Sequence, residues 1–133
     1  MSVEDVGRVL NPVLVEGKVH GDVVQGLGQV LLEQIRYDNA GQLVSGSFMD
    51  YAMPRAGDMP PMISENLEVP TARNVLVAKG VGEAGTVGAI SAAMNAVCHA
   101  LQPAGIRHFD MPATPARVWQ ALKISGYPAL GPR

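Results

Sequence analysis

Val77-Ala78-Lys79-Gly80-Val81-Gly82-Glu83-Ala84-Gly85-Thr86 sets one carboxylate in a glycine-rich loop ahead of an alanine-rich helix. Glycines at 80, 82 and 85 free the backbone to turn tightly and approach a ligand closely, because no Cβ stands in the way. A carboxylate held there, beside a helix N-terminus, is aimed outward from a fixed position, which suits a general base. The helix that follows has the strongest pattern in the chain. Val87, Ile90, Ala93, Met94, Val97 and Leu101 share one stripe, and Pro103 with Gly105 stops it.

Upstream, Val3 to Val15 reads as a strand running into a turn at Asn11-Pro12. From Gly17 to Gln34 the residues Val19, Val23, Leu27, Val30, Leu31 and Ile35 recur at helical spacing. Gly21, Gly26 and Gly28 inside that helix each cost up to about 1 kcal/mol against Ala, so close packing or close approach to a ligand should account for them. Residues 36–44 read as strand, turn and strand, with Gly41 supplying positive φ. Tyr51 to Pro61, with three prolines and Gly57, is a loop of the kind that forms a docking surface, a channel wall or a surface excursion. Met62 to Val69 has strand character, and Asn74 to Ala78 is a short apolar run entering the glycine loop. Ile106 to Phe109 is a candidate last strand. Thr114-Pro115 opens a short helix through Lys123, with Thr as N-cap and Pro at the first helical position. These elements predict an α+β fold, a small mixed sheet packed by the two principal helices, over residues 1–125, with 126–133 as a flexible tail.

The 133 residues are one domain's worth, or a piece of something larger. A net charge of −2 with scattered Lys and Arg implies no nucleic-acid partner. His20, His99 and His108 show no metal-ligand spacing, so no metal site is assigned to side chains. A lone Cys98 excludes an internal disulfide and suits a reducing compartment. With no basic, apolar leader and no apolar run of membrane-spanning length, the reading is a cytoplasmic chain without a membrane partner.

The glycine loop supports two readings. Gly80 to Gly85 matches G-x-G-x-x-G after a predicted strand, with Asp110 at the end of another, as in a dinucleotide-binding fingerprint. Against this, Glu83 would set a like charge beside a diphosphate on that helix N-terminus.

The second reading rests on four motifs in one order: Asp5-Val6-Gly7-Arg8-Val9-Leu10-Asn11-Pro12, Glu16-Gly17-Lys18-Val19-His20-Gly21, Gln25-Gly26-Leu27-Gly28 and Ala78-Lys79-Gly80-Val81-Gly82-Glu83. Together they resemble the C-terminal end of the molybdopterin-binding large subunit of molybdenum hydroxylases, the family of xanthine dehydrogenase, aldehyde oxidase and aerobic carbon monoxide dehydrogenase. Arg36-Tyr37-Asp38, Gly46-Ser47-Phe48-Met49-Asp50-Tyr51 and Pro112-Ala113-Thr114-Pro115 extend the likeness, most closely toward the carbon monoxide dehydrogenase branch. It runs from residue 3 to about 123.

The resemblance implies that Glu83 is the general base, taking a proton from a hydroxyl on molybdenum. It implies that Gly80, Val81, Gly82 and Lys18 contact the molybdopterin cofactor. At Lys18 the family has Gln; a Lys meets a phosphate or pterin oxygen as a point charge but accepts no hydrogen bond. Thr71 to Leu76 also departs from the Pro and Gly that relatives carry before Ala-Lys-Gly. The implied partners are the remaining large-subunit segments and the iron–sulfur and flavin subunits, since one cysteine holds no cluster. Such a chain is inactive alone and supplies one part of a hydroxylase acting on an aldehyde, a heteroaromatic ring or carbon monoxide. The alternative is a non-catalytic assembly module or relic of the same family. With 47% hydrophobic residues, apolar surface and self-association into a homo-oligomer are expected.

Overall fold

A computed structural model describes residues 1–128; part of the tail expected to be flexible, residues 129–133, lies outside the described residues. The regular elements are β1 (Ser2–Glu4), α1 (Pro12–Leu31), β2 (Ser64–Asn66), α2 (Ala84–Leu101) and α3 (Pro115–Ile124). They fall into two compact units, residues 1–27 with 54–89 and residues 28–53 with 90 onward.

In the first unit β1 and β2 pair in parallel, Ser2 opposite Ser64 and Glu4 opposite Asn66. An isolated bridge joins Gly7 to Ala78. The expected mixed sheet is therefore a single parallel pair, too small to serve as a layer for two helices. The reason lies at Asn11-Pro12. Asn11 Oδ1 accepts from the Leu14 amide at 3.2 Å and Asn11 O from Val15 at 3.1 Å, so this pair caps a helix where a turn was expected. The cap contributes about 1 kcal/mol and starts α1 five residues ahead of Gly17. The buried stripe of α1 is Val15, Val19, Asp22, Gly26 and Val30, with Val23, Leu27 and Leu31 half-buried beside it. Gly26 and Gly28 are buried, in keeping with close packing, whereas Gly21 is exposed and a Cβ there would meet open space. Val6, Val15 and Val19 form the core of this unit, with Val9 and Val81 against it.

In the second unit the residues after α1 turn back on themselves. Tyr37 bridges Leu43, Asp38 N donates to Gln42 O at 2.9 Å, and Gly41 takes φ +80°. The turn is as expected, but its arms make one bridge and no strands. Ile106 to Phe109 is likewise irregular, with no ladder partner, which corrects the expected last strand. Ala113 N donates to Val30 O after a cis Met111–Pro112 bond. Thr114 caps α3 by accepting from Arg117 N at 3.4 Å, as its sequence predicts. Arg117 also donates to Pro112 O at 2.7 Å and lies over the Phe109 ring.

α2 begins at Ala84 and continues through a 3-10 turn, Gln102–Ala104, that Gly105 closes at φ +77°. Together Ala84–Ala104 make 21 residues containing an 18-residue window of mean hydropathy 1.3, long and apolar enough by length and composition to cross a membrane. No run of that length was expected from the sequence; large apolar residues such as Val87, Ile90, Val97 and Leu101 are spread among alanines rather than gathered in a block. Large apolar side chains stand exposed, as expected of a segment cut from a larger core: Phe48 at 83%, Met49 at 96% and Val75 at 99%.

Candidate functional site

The glycine loop is anchored at both ends within the first unit. At its start, Lys79 N donates to Val6 O at 2.8 Å, and Lys79 Nζ pairs with Asp5. Asp5 Oδ1 also accepts from the amides of Gly7 and Val69. The hydrogen bond from Lys79 foremost, with the Gly7 amide next, holds the Asp5 carboxyl below the usual carboxylate value. At its far end Glu83 takes the N-cap position of α2, its carbonyl accepting from Val87 N at 3.3 Å.

Gly85 is the glycine that packing requires. A Cβ there would stand 2.8 Å from Asp22 Cβ and 3.1 Å from Val19 O, so α2 begins against the middle of α1. Thr86 fixes the contact by donating from its buried hydroxyl to Asp22 O at 2.9 Å. Gly80 and Gly82 differ: neither takes a positive φ, and a Cβ on either meets nothing within 4 Å. The tight turns expected of them are absent. What they leave is uncovered backbone beside the loop.

One cavity of about 190 Å³ gathers Arg8, Lys18 and Lys79 over apolar walls from Val6, Leu14, Val15 and Val81. It brings together two of the sequence-predicted cofactor contacts, Lys18 on α1 and Val81 on the loop. Gly80 and Gly82 flank Val81 in the chain but do not line the cavity. Glu83 is exposed and outside the lining, so the described residues give it no dry pocket. With Lys79 paired to Asp5, Arg8 and Lys18 are the cations left over the apolar walls, and they suit an anionic group on a flat heterocycle such as a phosphate-bearing pterin. The volume falls short of the roughly 300 Å³ and more of a typical cofactor site.

Sequence reasoning assigned no role to Arg8, Lys79, Asp5 or Asn74. Lys79 stood inside the motif, and Asn74 before a turn was a legible Asx signal. A second, open cavity of about 600 Å³ lies along the proline-rich loop, between Pro54, Pro60, Pro61 and Met62 on one side and His20 and Gly21 on the other. Within α1, His20 Nε2 and Asp22 Oδ2 are buried without a hydrogen-bond partner among the described residues.

The dinucleotide reading loses its context here. The run before the loop is a turn with one bridge, no strand follows α2 among the described residues, and Asp110 pairs with His108 at 2.9 Å.

Comparison with known proteins gives a different relationship. Residues 1–60 match the family described as "Molybdopterin cofactor-binding domain". Over 122 residues, 92% of the chain, it is 45% identical to the nicotine 6-hydroxylase large subunit of Paenarthrobacter nicotinovorans, covering 15% of that protein. It is 34% identical over 122 residues, again 92% of the chain and 15% of the relative, to the carbon monoxide dehydrogenase large chain of Hydrogenophaga pseudoflava. The expected leaning toward carbon monoxide dehydrogenase is in keeping with this match, and the identity to the nicotine enzyme is higher still. The fold matches quinoline 2-oxidoreductase from Pseudomonas putida 86 with TM-score 0.85 and 37% identity, over 91% of this chain and 15% of that one. The chain spans 15% of the length of these relatives. In sequence and fold it belongs to the molybdopterin-binding large subunits of the molybdenum hydroxylase family, as one segment of such a subunit.

Proposed function

We propose that the chain furnishes one wall of the cofactor site and the general base of a molybdenum hydroxylase, and that it acts only when joined to the rest of a large subunit. The observation that carries this reading is the shared cavity of Lys18 and Val81, next to the loop that ends in Glu83. Bound molybdopterin supplies the metal centre at which the substrate carbon is oxidised. This chain's residues do the rest. Lys18 Nζ, with Arg8, holds an anionic or carbonyl oxygen of the cofactor as a point charge. Gly80 and Gly82 let the cofactor lie against bare backbone, and Val81 walls it off from water. Glu83 takes up the proton that hydroxylation releases, with its charge favoured by the head of α2. A carboxylate there without catalytic duty would still contribute about 0.3–1 kcal/mol through the helix dipole, so position alone does not decide the role.

The similarity to a nicotine hydroxylase and a quinoline oxidoreductase favours a nitrogen heteroaromatic ring as substrate over carbon monoxide or an aldehyde. Partners are the remaining large-subunit segments, with iron–sulfur and flavin subunits to carry electrons away. The test is affinity purification from the native host with elemental analysis. Molybdenum together with a larger partner is expected, and Glu83→Gln should then cut turnover by about 10²–10⁴-fold with molybdenum retained. A metal-free chain without a partner overturns the reading in favour of an assembly module.

A further inference from the structure

Val77 stands immediately ahead of the Ala78–Glu83 loop at φ +52°, where a β-branched side chain rarely sits. Asn74 holds it there. Asn74 Nδ2 donates to Ala78 O at 2.8 Å, while Asn74 Oδ1 accepts from Leu76 N at 3.1 Å and Ala78 N at 3.4 Å. The Val77 amide closes the turn by donating to Asn74 O at 3.1 Å. On its other side, Val77 O accepts from Arg8 N and Thr71 N, each at 3.2 Å. A Cβ on Gly7 would come within 2.6 Å of that oxygen, so the two segments meet at backbone distance. Between Lys79 and α2 only Val81, packed against the core, steers the loop, because Gly80 and Gly82 touch nothing where a Cβ would be. The heading of the loop is set at Val77.

We infer that Asn74 is a positioning residue: its side chain clamps Val77 in the left-handed conformation and so aims the Gly80–Glu83 loop. That the aimed group is a catalytic base rests on the function proposed above; the clamp itself does not.

The test is amide hydrogen exchange on the full chain, comparing wild type, N74A, V77G and N74A/V77G. N74A should speed exchange by about tenfold at the Val77 and Lys79 amides, which donate to Asn74 O and Val6 O, while α1 and α3 keep their protection. In the V77G background, where no left-handed penalty remains to be held, removing Asn74 should change loop exchange by less than about threefold. Equal loosening in both backgrounds, or no loosening in either, overturns the inference. Should N74A unfold the chain, a folded N74A/V77G with a protected loop supports the clamp, and an unfolded double variant overturns it. In the assembled complex, N74A should lower kcat with KM and molybdenum content unchanged, and V77G should restore it. A complex in which E83Q keeps full turnover while N74A still loosens the loop defeats the proposed base and leaves the clamp standing.

Discussion

The Cβ that Gly85 lacks would stand 2.8 Å from Asp22 Cβ, closer than real side chains approach one another, so the first turn of α2 and the middle of α1 meet through a residue that only glycine can fill. Neither partner in that contact is the flexible end of a side chain. Gly85→Ala should therefore force the helices apart and destabilise the chain by about 2 kcal/mol, as overpacking does elsewhere. Gly82→Ala is the opposite case. Its φ is not positive and its Cβ meets open space, so it should leave stability unchanged or raise it by about 0.5 kcal/mol. Chemical denaturation of the two variants separates a packing glycine from a site glycine. In the assembled enzyme, where a ligand lies against the loop, the order should reverse, with Gly82→Ala losing more molybdenum.

That contrast also shows what was legible in the sequence. The spacing of Gly80, Gly82 and Gly85 marks a special loop, but one-dimensional spacing does not say which glycine is held by φ, which by packing and which by a ligand. Helices α2 and α3 were legible because local signals bound them: Pro103-Gly105 stops the first and Thr114-Pro115 opens the second. The start of α1 was misread because Asn11-Pro12 is both a good turn and a good helix start, and only the bond from Leu14 N to Asn11 Oδ1 decides between them. The strands failed for another reason. Short apolar runs such as 36–44 and 106–109 become strands only with a partner, and partner choice is long-range. The Lys18 and Val81 cavity was legible only through resemblance, since nothing local relates residue 18 to residue 81.

Asp5 should give the chain an acid-labile contact. Its carboxyl is held below the ordinary value of 3.8 by Lys79 and the Gly7 amide, so the folded state resists protonation that the unfolded state accepts. The sign follows: the contribution is fully present above the unfolded value, near pH 4, and is lost as pH falls through the lower native value. Asp5→Asn removes the charge that Lys79 meets. Thermal melts should show the variant less stable than wild type at neutral pH, with the two curves converging once pH falls below the lowered native value. Parallel curves down to the lowest pH would place the coupling elsewhere.

Lys18 carries a charge where the resemblance expects an amide. If it holds the cofactor as a point charge, retention should weaken with salt, because an exposed cation is screened over about 10 Å at 0.1 M. Lys18→Ala should reduce molybdenum per large subunit by about tenfold after dialysis. Lys18→Gln should retain most of it and flatten the salt dependence, since an amide hydrogen-bonds without a net charge. Metal analysis across a salt series reads both effects without an activity assay. Equal retention in all three proteins would remove Lys18 from the site.

Tyr51 supplies the last test, at the alkaline end. Its hydroxyl donates to Glu33 Oε2 at 2.5 Å, and that bond, with partial burial and the carboxylate's charge, raises the phenol above 10.0. Because the folded state keeps the proton longer, the bond's contribution is complete below the unfolded value and fades as pH climbs through the higher native one. Tyr51→Phe should cost about 1 kcal/mol at neutral pH and little once the phenol is ionised. An ultraviolet titration of tyrosinate should show a late phase that disappears in the variant. The position matters because Ser47 Oγ, by donating to Asp50 Oδ2, pins the other end of the same turn, which holds Phe48 and Met49 out in solvent. If Tyr51 fixes that turn, Tyr51→Phe should also quicken exchange at the Asp50 and Tyr51 amides that bond back to Ser47 O, and leave the Thr114 cap of α3 untouched.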